Sequence, residues 1–356
     1  MILGFLIPWI AMAAVLALHV ALPGRWLDGY VRDAAGRPLR YRLNGLLVLA
    51  VTVGLAVAAV ALGLAAPDVL WRHRWEELAG ACALGLLFTA AIVLPAPPVK
   101  PRLLADLYLG RRENPRWRGG RVDAKMWLYL GGAVLLELNV LSFAAHAERL
   151  PGDLRAGVIL YAALFTWFVV DYLTFEHVHL YTYDLFAERV GFKLGWGCLV
   201  FYPCFYCVGL WSQADEPDPG APAWLLVLAA LTFLAGWILA RGANLQKYVF
   251  KRDPAARAFG VLAPRAISDG THTLLCGGFW GVSRHVNYFG EILMATGLTL
   301  ALGDPADPIP WLYPLYYVAL LVPRQVDDDR RCAAKYGPLW DEYCARVRYR
   351  IIPGVY

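Results

Sequence analysis

Residues 222–240, PAWLLVLAALTFLAGWILA, run for 19 positions without a charge and then meet Arg241. An α-helix of about 20 apolar residues is what it takes to cross the hydrocarbon core of a bilayer. The stretch therefore predicts a membrane-spanning helix, and similar runs recur on either side of it. Spans are expected near 1–22, 45–66, 78–96, 126–146, 157–175, 191–211, 222–240, 287–303 and 309–323. The chain is thus expected to be an all-α, polytopic membrane protein of about nine (8–10) transmembrane helices. Residues 1–22 carry neither a basic leader nor a small-residue cleavage site, so they are expected to be a retained first span.

Composition agrees with this reading. Of the 356 residues, 59% are hydrophobic and only 17% charged, too few polar groups to cover a soluble surface or to support disorder or a coiled coil. The net charge of +5 arises from 33 basic and 28 acidic residues. The basic ones gather between apolar runs, after the first, third and seventh spans and in the C-terminal tail. This is the pattern of membrane flanks and argues against a nucleic-acid-binding stripe. With nine spans the basic segments all fall on one side, which the positive-inside tendency makes cytosolic. The N-terminus is then expected outside and the C-terminus in the cytosol. The seven cysteines lie mostly in or beside apolar segments and are expected to be reduced and structural.

Two stretches do not fit plain spans. Residues 241–291 are semi-polar, glycine-rich and too long for a bare loop, and Cys276-Gly-Gly-Phe-Trp-Gly281 is expected to border a cavity. Residues 324–356 are charged and aromatic and are expected to fold onto the cytosolic face.

The chain lacks the glycine-rich nucleotide fingerprints, the HExxH helix and the GxSxG elbow. Candidate chemistry therefore rests on ionisable groups in or beside the spans, which are costly there. One cluster holds Asp171, Tyr172, Glu176, His177, His179 and Asp184. A metal site on Glu176-His-Val-His179 is not favoured, because residues two apart point to different sides of a helix. Cys204-Phe-Tyr-Cys207 lies in an apolar run and is expected to be a buried thiol pair, not a redox motif. A second set is basic and aromatic. Lys247, Lys251, Arg252 and Arg284 can pair with phosphates, Trp280 and Tyr288 can stack on flat rings, and Asn287 can hydrogen-bond an amide. A nucleotide needs all three kinds of contact, yet membrane-flank charges and interfacial aromatics would leave the same pattern.

Beyond these residue types the sequence resembles a known family. Gly242-Ala-Asn-x-Gln-Lys247, Gly278-Phe-Trp-Gly-Val-Ser-Arg-His-Val-Asn-Tyr288, Tyr313-Pro-x-Tyr316, Asp328-Asp-x-x-Cys332, Lys335-Tyr-Gly337 and Tyr349-Arg-Ile-Ile-Pro-Gly-Val-Tyr356 are similar to motifs of the sterol reductases. That group comprises the Δ14-sterol, 7-dehydrocholesterol and sterol C-24(28) reductases with the lamin B receptor, and a bacterial-type member is expected. Upstream, Leu22-Pro-Gly24, Leu39-x-Tyr41-x-x-Asn44-Gly45, Asp106-x-Tyr-x-Gly110-Arg-x-Glu-Asn-Pro115 and Val169-Val-Asp171 extend the likeness over most of the chain.

The resemblance implies one integral membrane reductase domain over 1–356. Residues 1–211 would form the substrate side and scaffold, and 222–356 an NADPH-binding half with a cytosol-facing pocket. It implies reduction of a sterol carbon-carbon double bond, most simply of the Δ14 type, by alkene protonation and hydride transfer. The expected partners are a sterol and membrane lipids, with no nucleic acid and no obligatory protein partner. The expected location is a bacterial cytoplasmic membrane, or the endoplasmic reticulum in a eukaryote. Carried across residue by residue, the cofactor contacts are Lys247, Lys251, Leu275, Trp280, Asn287, Tyr288, Asp328, Cys332 and Tyr336. Asp328 is the first candidate for the acid. Members often have Tyr where Phe168 stands and an acidic residue where Cys198 stands, so Tyr172, one helical turn after Phe168, is a second candidate donor, with Asp171 and Glu176 lining its route. A fainter likeness in the C-terminal half reaches S-adenosylmethionine-dependent membrane methyltransferases, and a non-catalytic sterol-binding protein is the third alternative.

Overall fold

The computed structural model describes residues 2–152 and 154–356, so the expected first span begins at Met1, outside the described residues. The chain divides into two compact units, Met1–Asp218 and Pro219–Tyr356.

In the first unit, α1 (Ile2–Ala21) leads into an antiparallel hairpin of β1 (Arg25–Arg32) and β2 (Pro38–Leu43), then α2 (Gly45–Ala61). A single turn α3 (Val69–Arg72) precedes α4 (Arg74–Val93), and a short α5 (Leu103–Leu109) precedes the two-residue strands β3 (Arg116–Trp117) and β4 (Val122–Asp123). The long helices α6 (Ala124–Ala147) and α7 (Ala156–Thr174) follow, then the short turns α8 (Glu176–His179) and α9 (Tyr183–Phe186). The unit ends with α10 (Phe192–Trp196), a π-helix (Gly197–Phe205) containing Pro203, and α11 (Val208–Gln213).

Helix α6 is the centre of this unit, with Val134, Leu136, Val140 and Phe143 fully buried. Small residues set its close approaches: a side chain at Gly131 would strike Met12, and one at Gly132 would strike the Cys198 carbonyl. Side chains finish the helix ends. Asp123 accepts the Lys125 and Met126 N–H groups at 3.1 Å each and so caps α6. Beyond the end of α1, Arg42 donates to the carbonyls of Val20 and Leu22, while Asn44 donates to His19 O at 3.1 Å.

In the second unit, α12 (Ala223–Arg252) runs for 30 residues and stops where Asp253-Pro254 forbids a further turn. A short hairpin of β5 (Ala266–Ser268) and β6 (Thr273–Leu275) and a 3₁₀ turn (Gly278–Gly281) lead to α13 (Val286–Ala301), α14 (Leu312–Tyr336) and α15 (Pro338–Arg346). Helices α12 and α13 are in close backbone contact because Gly236, Gly290 and Gly297 leave no room for a Cβ between them.

Among the described residues, helix occupies most of each expected apolar segment. Among the described residues, six regions are long and apolar enough to cross a membrane: α1, α4, α6, α7, Phe192–Gln213 and α12. Of the other three, α2 is apolar but has 17 residues, α13 has 16, and α14 changes from an apolar start to a charged end. Three points differ from expectation. Among the described residues three antiparallel strand pairs interrupt the helices, and in the longest of them Arg25–Arg32 and Pro38–Leu43 pair across a turn at Gly36, whose φ of 75° suits glycine. The span expected to end at residue 240 continues as helix to Arg252. Residues 324–336 of the expected tail continue α14.

Candidate functional site

The second unit gathers most of the nominated residues. At about 1.5 Å per residue α12 is roughly 45 Å long, so its last turns extend beyond a hydrocarbon core about 30 Å thick. Those turns carry Lys247, Lys251 and Arg252. Trp280 is fixed against α12 by donation of its indole N–H to Ala243 O at 2.8 Å. The Lys247 ammonium then stands 5.4 Å from the centroid of the Trp280 ring, a cation–π distance. Gln246 holds the loop bearing Trp280, donating to Gly277 O at 3.0 Å and accepting from Phe279 N–H at 2.9 Å. A Cβ at Gly242 would fall inside the Phe279 ring, so the loop closes tightly on the helix.

Asn287, in the first turn of α13, donates to Asn244 Oδ1 at 3.4 Å, while its own Oδ1 is buried without a hydrogen-bond partner. Tyr288, the next residue, is buried with one ring face stacked on His285 at 4.9 Å. From α14, Asp328 and Cys332 are electrostatic neighbours of Lys247. Burial, with the charges of Asp328 and Asp329, pushes the Cys332 thiol up to about 12. Cys332 and Tyr336 pack with Leu274 and Cys276 on the cluster of Ile267, Leu339, Trp340 and Tyr343, and Leu275 pairs with Ala266 in the same hairpin. Tyr336 meets His272 edge-on at 5.2 Å. Lys251 and Arg252 are exposed, and Arg252 donates to the Tyr248 hydroxyl at 2.8 Å.

Arg284 is turned away from this group. Its guanidinium is buried, 2.6 Å from the Cys344 sulfur and 3.8 Å from Asp329 Oδ2. A phosphate contact by Arg284 would need those partners to be released.

In the first unit, the ring of Tyr172 of α7 lies tilted against His179 at 4.0 Å and stacks on Phe168 at 6.4 Å, with the Tyr202 ring at 6.1 Å. His179 faces Tyr172 and His177 faces Phe175, as the helical turn α8 requires. Glu176 is buried, and its carboxylate accepts the Gly45 N–H at 2.9 Å, at the N-terminus of α2. Burial pushes the Glu176 carboxyl up to about 7, against the lowering effect of that bond. Asp171 is half-buried in the last turn of α7. Cys204 and Cys207 are free and buried, and the Cys207 thiol donates to Pro203 O and Cys204 O at 3.5 Å. Among the described residues no three His, Cys, Asp or Glu side chains converge as a metal site.

Sequence reasoning passed over Glu77 and Glu137, both 2% exposed within spans. Glu137 accepts the Thr166 hydroxyl at 2.8 Å and keeps its second oxygen without a partner. Their position inside apolar runs was the available signal. Asn244 and Gln246 were visible only as members of the Gly242–Lys247 motif.

Comparison with known proteins decides the family. A sequence model described as the ergosterol biosynthesis ERG4/ERG24 family matches residues 2–356. The chain belongs to that family. It is 32% identical to a Delta(14)-sterol reductase of Arabidopsis thaliana over 374 residues, covering 99% of this chain and 98% of the relative. It is 32% identical to Delta(14)-sterol reductase erg24 of Schizosaccharomyces pombe, covering 94% and 80% of the two chains. It is 30% identical to a bacterial Delta(14)-sterol reductase from Methylotuvimicrobium alcaliphilum, covering 96% and 80%. For this ERG4/ERG24 family chain, the basic, amide and aromatic groups around Lys247, Trp280 and Asn287 fit a nicotinamide dinucleotide in kind, and the buried, unpartnered Asn287 oxygen is an acceptor such a ligand could satisfy.

Proposed function

We propose that the chain is a membrane oxidoreductase of sterol biosynthesis that reduces the Δ14 double bond of a sterol with NADPH. The observation that carries this reading is the grouping of Lys247, Trp280, Asp328 and Cys332 in one place, in a chain that aligns almost end to end with Delta(14)-sterol reductases.

NADPH, when bound, supplies the hydride. The protein's residues do the rest. Lys247 offsets phosphate charge and Trp280 offers a held ring face, while the exposed Lys251 and Arg252 are placed for a 2′-phosphate. Asn287 hydrogen-bonds an amide through its free oxygen. An isolated alkene accepts hydride only after a proton has made it a carbocation, so the site must deliver a proton and keep water away from the cation. Asp328 is the first donor, or orients the donor. Tyr172, enclosed by Phe168, His179 and Tyr202, is the second, with Asp171 and Glu176 on its route. The balance is one proton and one hydride added across the double bond and one NADP⁺ released. The C-terminal segment faces the cytosol in this reading, which the basic flanks support.

The test is incubation of the purified protein with NADPH or NADH and a panel of Δ14, Δ7 and Δ24 sterols, with products identified by mass spectrometry. A Δ14 product formed with NADPH is expected. Absence of any reduced sterol would overturn the reading.

A further inference from the structure

Three consecutive aspartates on α14 point three ways, as steps of about 100° per residue require. Asp327 pairs with Arg331 at 2.8 Å, one turn on, and Asp328 neighbours Lys247. Asp329 faces a different group, and the proposed chemistry leaves it unused. Its Oδ2 accepts the Gln325 amide N–H at 2.6 Å and lies 3.8 Å from Arg284 and 3.6 Å from Arg350, while its Oδ1 lies 3.8 Å from His285.

The partners come from three elements. Arg284 and His285 immediately precede α13, which carries Asn287 and Tyr288. Gln325 belongs to α14, which carries Asp328 and Cys332. Arg350 belongs to the C-terminal segment, which is itself bound to the loop before α13. There Arg284 N–H donates to Tyr349 O at 2.9 Å, His285 N–H to Arg350 O at 2.8 Å, and the Ser283 hydroxyl to Ile351 O at 2.8 Å. Arg350 donates to the Tyr356 hydroxyl at 3.3 Å, and that hydroxyl donates to Gln325 Oε1 at 3.2 Å. The ring of contacts closes on Asp329.

We infer that Asp329 is a positioning residue. Held by the 349–356 segment, it sets the start of α13 against α14 and so fixes the spacing of Asn287 and Tyr288 from Asp328 and Cys332. The carboxylate is what the arrangement needs: two guanidinium groups converge on it, and an amide cannot balance them. This inference rests on the NADPH reading above.

The experiment measures NADPH affinity directly, by fluorescence titration of purified wild type, Asp329→Asn and Arg350→Ala, together with melting temperature and steady-state kinetics. Asp329→Asn is expected to weaken NADPH binding about tenfold or more and to raise KM for NADPH accordingly, with kcat at saturating NADPH held within about threefold because Asp328 remains. Arg350→Ala, which leaves the Gln325 and Arg284 contacts, is expected to weaken binding about threefold and carries the test alone if Asp329→Asn does not fold. Unchanged NADPH affinity in the folded variants overturns the inference, whatever happens to melting temperature. Failure of wild type to bind NADPH overturns the cofactor reading first, and the inference with it.

Discussion

The Lys247 ammonium lies 5.4 Å from the centre of the Trp280 ring, and the ring cannot turn away because its N–H is bound to Ala243 O. Charge and flat surface are thereby offered together from α12 and the 3₁₀ turn. Trp280→Ala is expected to reduce NADPH affinity by about 1–3 kcal/mol, roughly 5- to 150-fold, through loss of aromatic contact. Isothermal titration checks this, and unchanged affinity would make Trp280 a packing residue only.

Lys251 and Arg252 stand one turn beyond Lys247 and are open to solvent. If they meet the 2′-phosphate, Lys251→Glu should weaken NADPH by at least tenfold more than NADH, because only NADPH carries that group. Parallel titrations with the two cofactors decide it. Equal losses would move the 2′-phosphate elsewhere.

Asp328→Asn keeps shape and removes the acid. It should bind NADPH nearly normally yet lose turnover by about 10² to 10⁴, the usual worth of a positioned proton donor. Tyr172→Phe is the paired measurement. A large loss there with a mild effect at Asp328 would assign donation to the tyrosine, and native rates in both variants would remove both residues from the chemistry.

Glu176 gives a pH dependence whose sign is fixed. Its folded carboxyl titrates at about 7, above the ordinary 4.5, so the folded state holds its proton more firmly than the unfolded chain does. Stability from this group is fully present below about 4.5 and is lost as pH rises through about 7, by an amount on the order of 3 kcal/mol. Melting temperature should fall across that window in wild type and stay flatter in Glu176→Gln, whose amide oxygen can still accept from Gly45. A Gln variant with the wild-type pH profile would contradict the assignment.

The helices were legible because lipid imposes one length and one polarity on whatever crosses it. Their ends beyond the lipid were not. Past Ala240 hydropathy falls while the helix continues, and only Asp253-Pro254 marks its stop. The hairpin at 25–43 was overlooked among its arginines, although a glycine turn at Gly36 and the alternation Leu39, Tyr41, Leu43 were there to be seen. At the site, residue types suggested phosphate, ring and amide contacts but could not separate Asp327, Asp328 and Asp329, which are identical as letters and differ only in the direction a helix gives them. Arg284 illustrates the same gap. As a basic residue it suggested a phosphate ligand, and the fold commits it to Cys344 and Asp329.

The length of α12 has a mechanical consequence. A helix unbroken from Ala223 to Arg252 has no hinge between its lipid-facing half and its polar half, and Gly242 is no weak point because Phe279 fills the space beside it. Helices adapt to thinner or thicker bilayers by tilting, and a change of about 10° swings the far end of a rod about 45 Å long by about 8 Å. Lys247, Lys251 and Arg252 ride on that end. Any tilt of α12 is therefore carried to them undiminished, as a lever carries motion to its load.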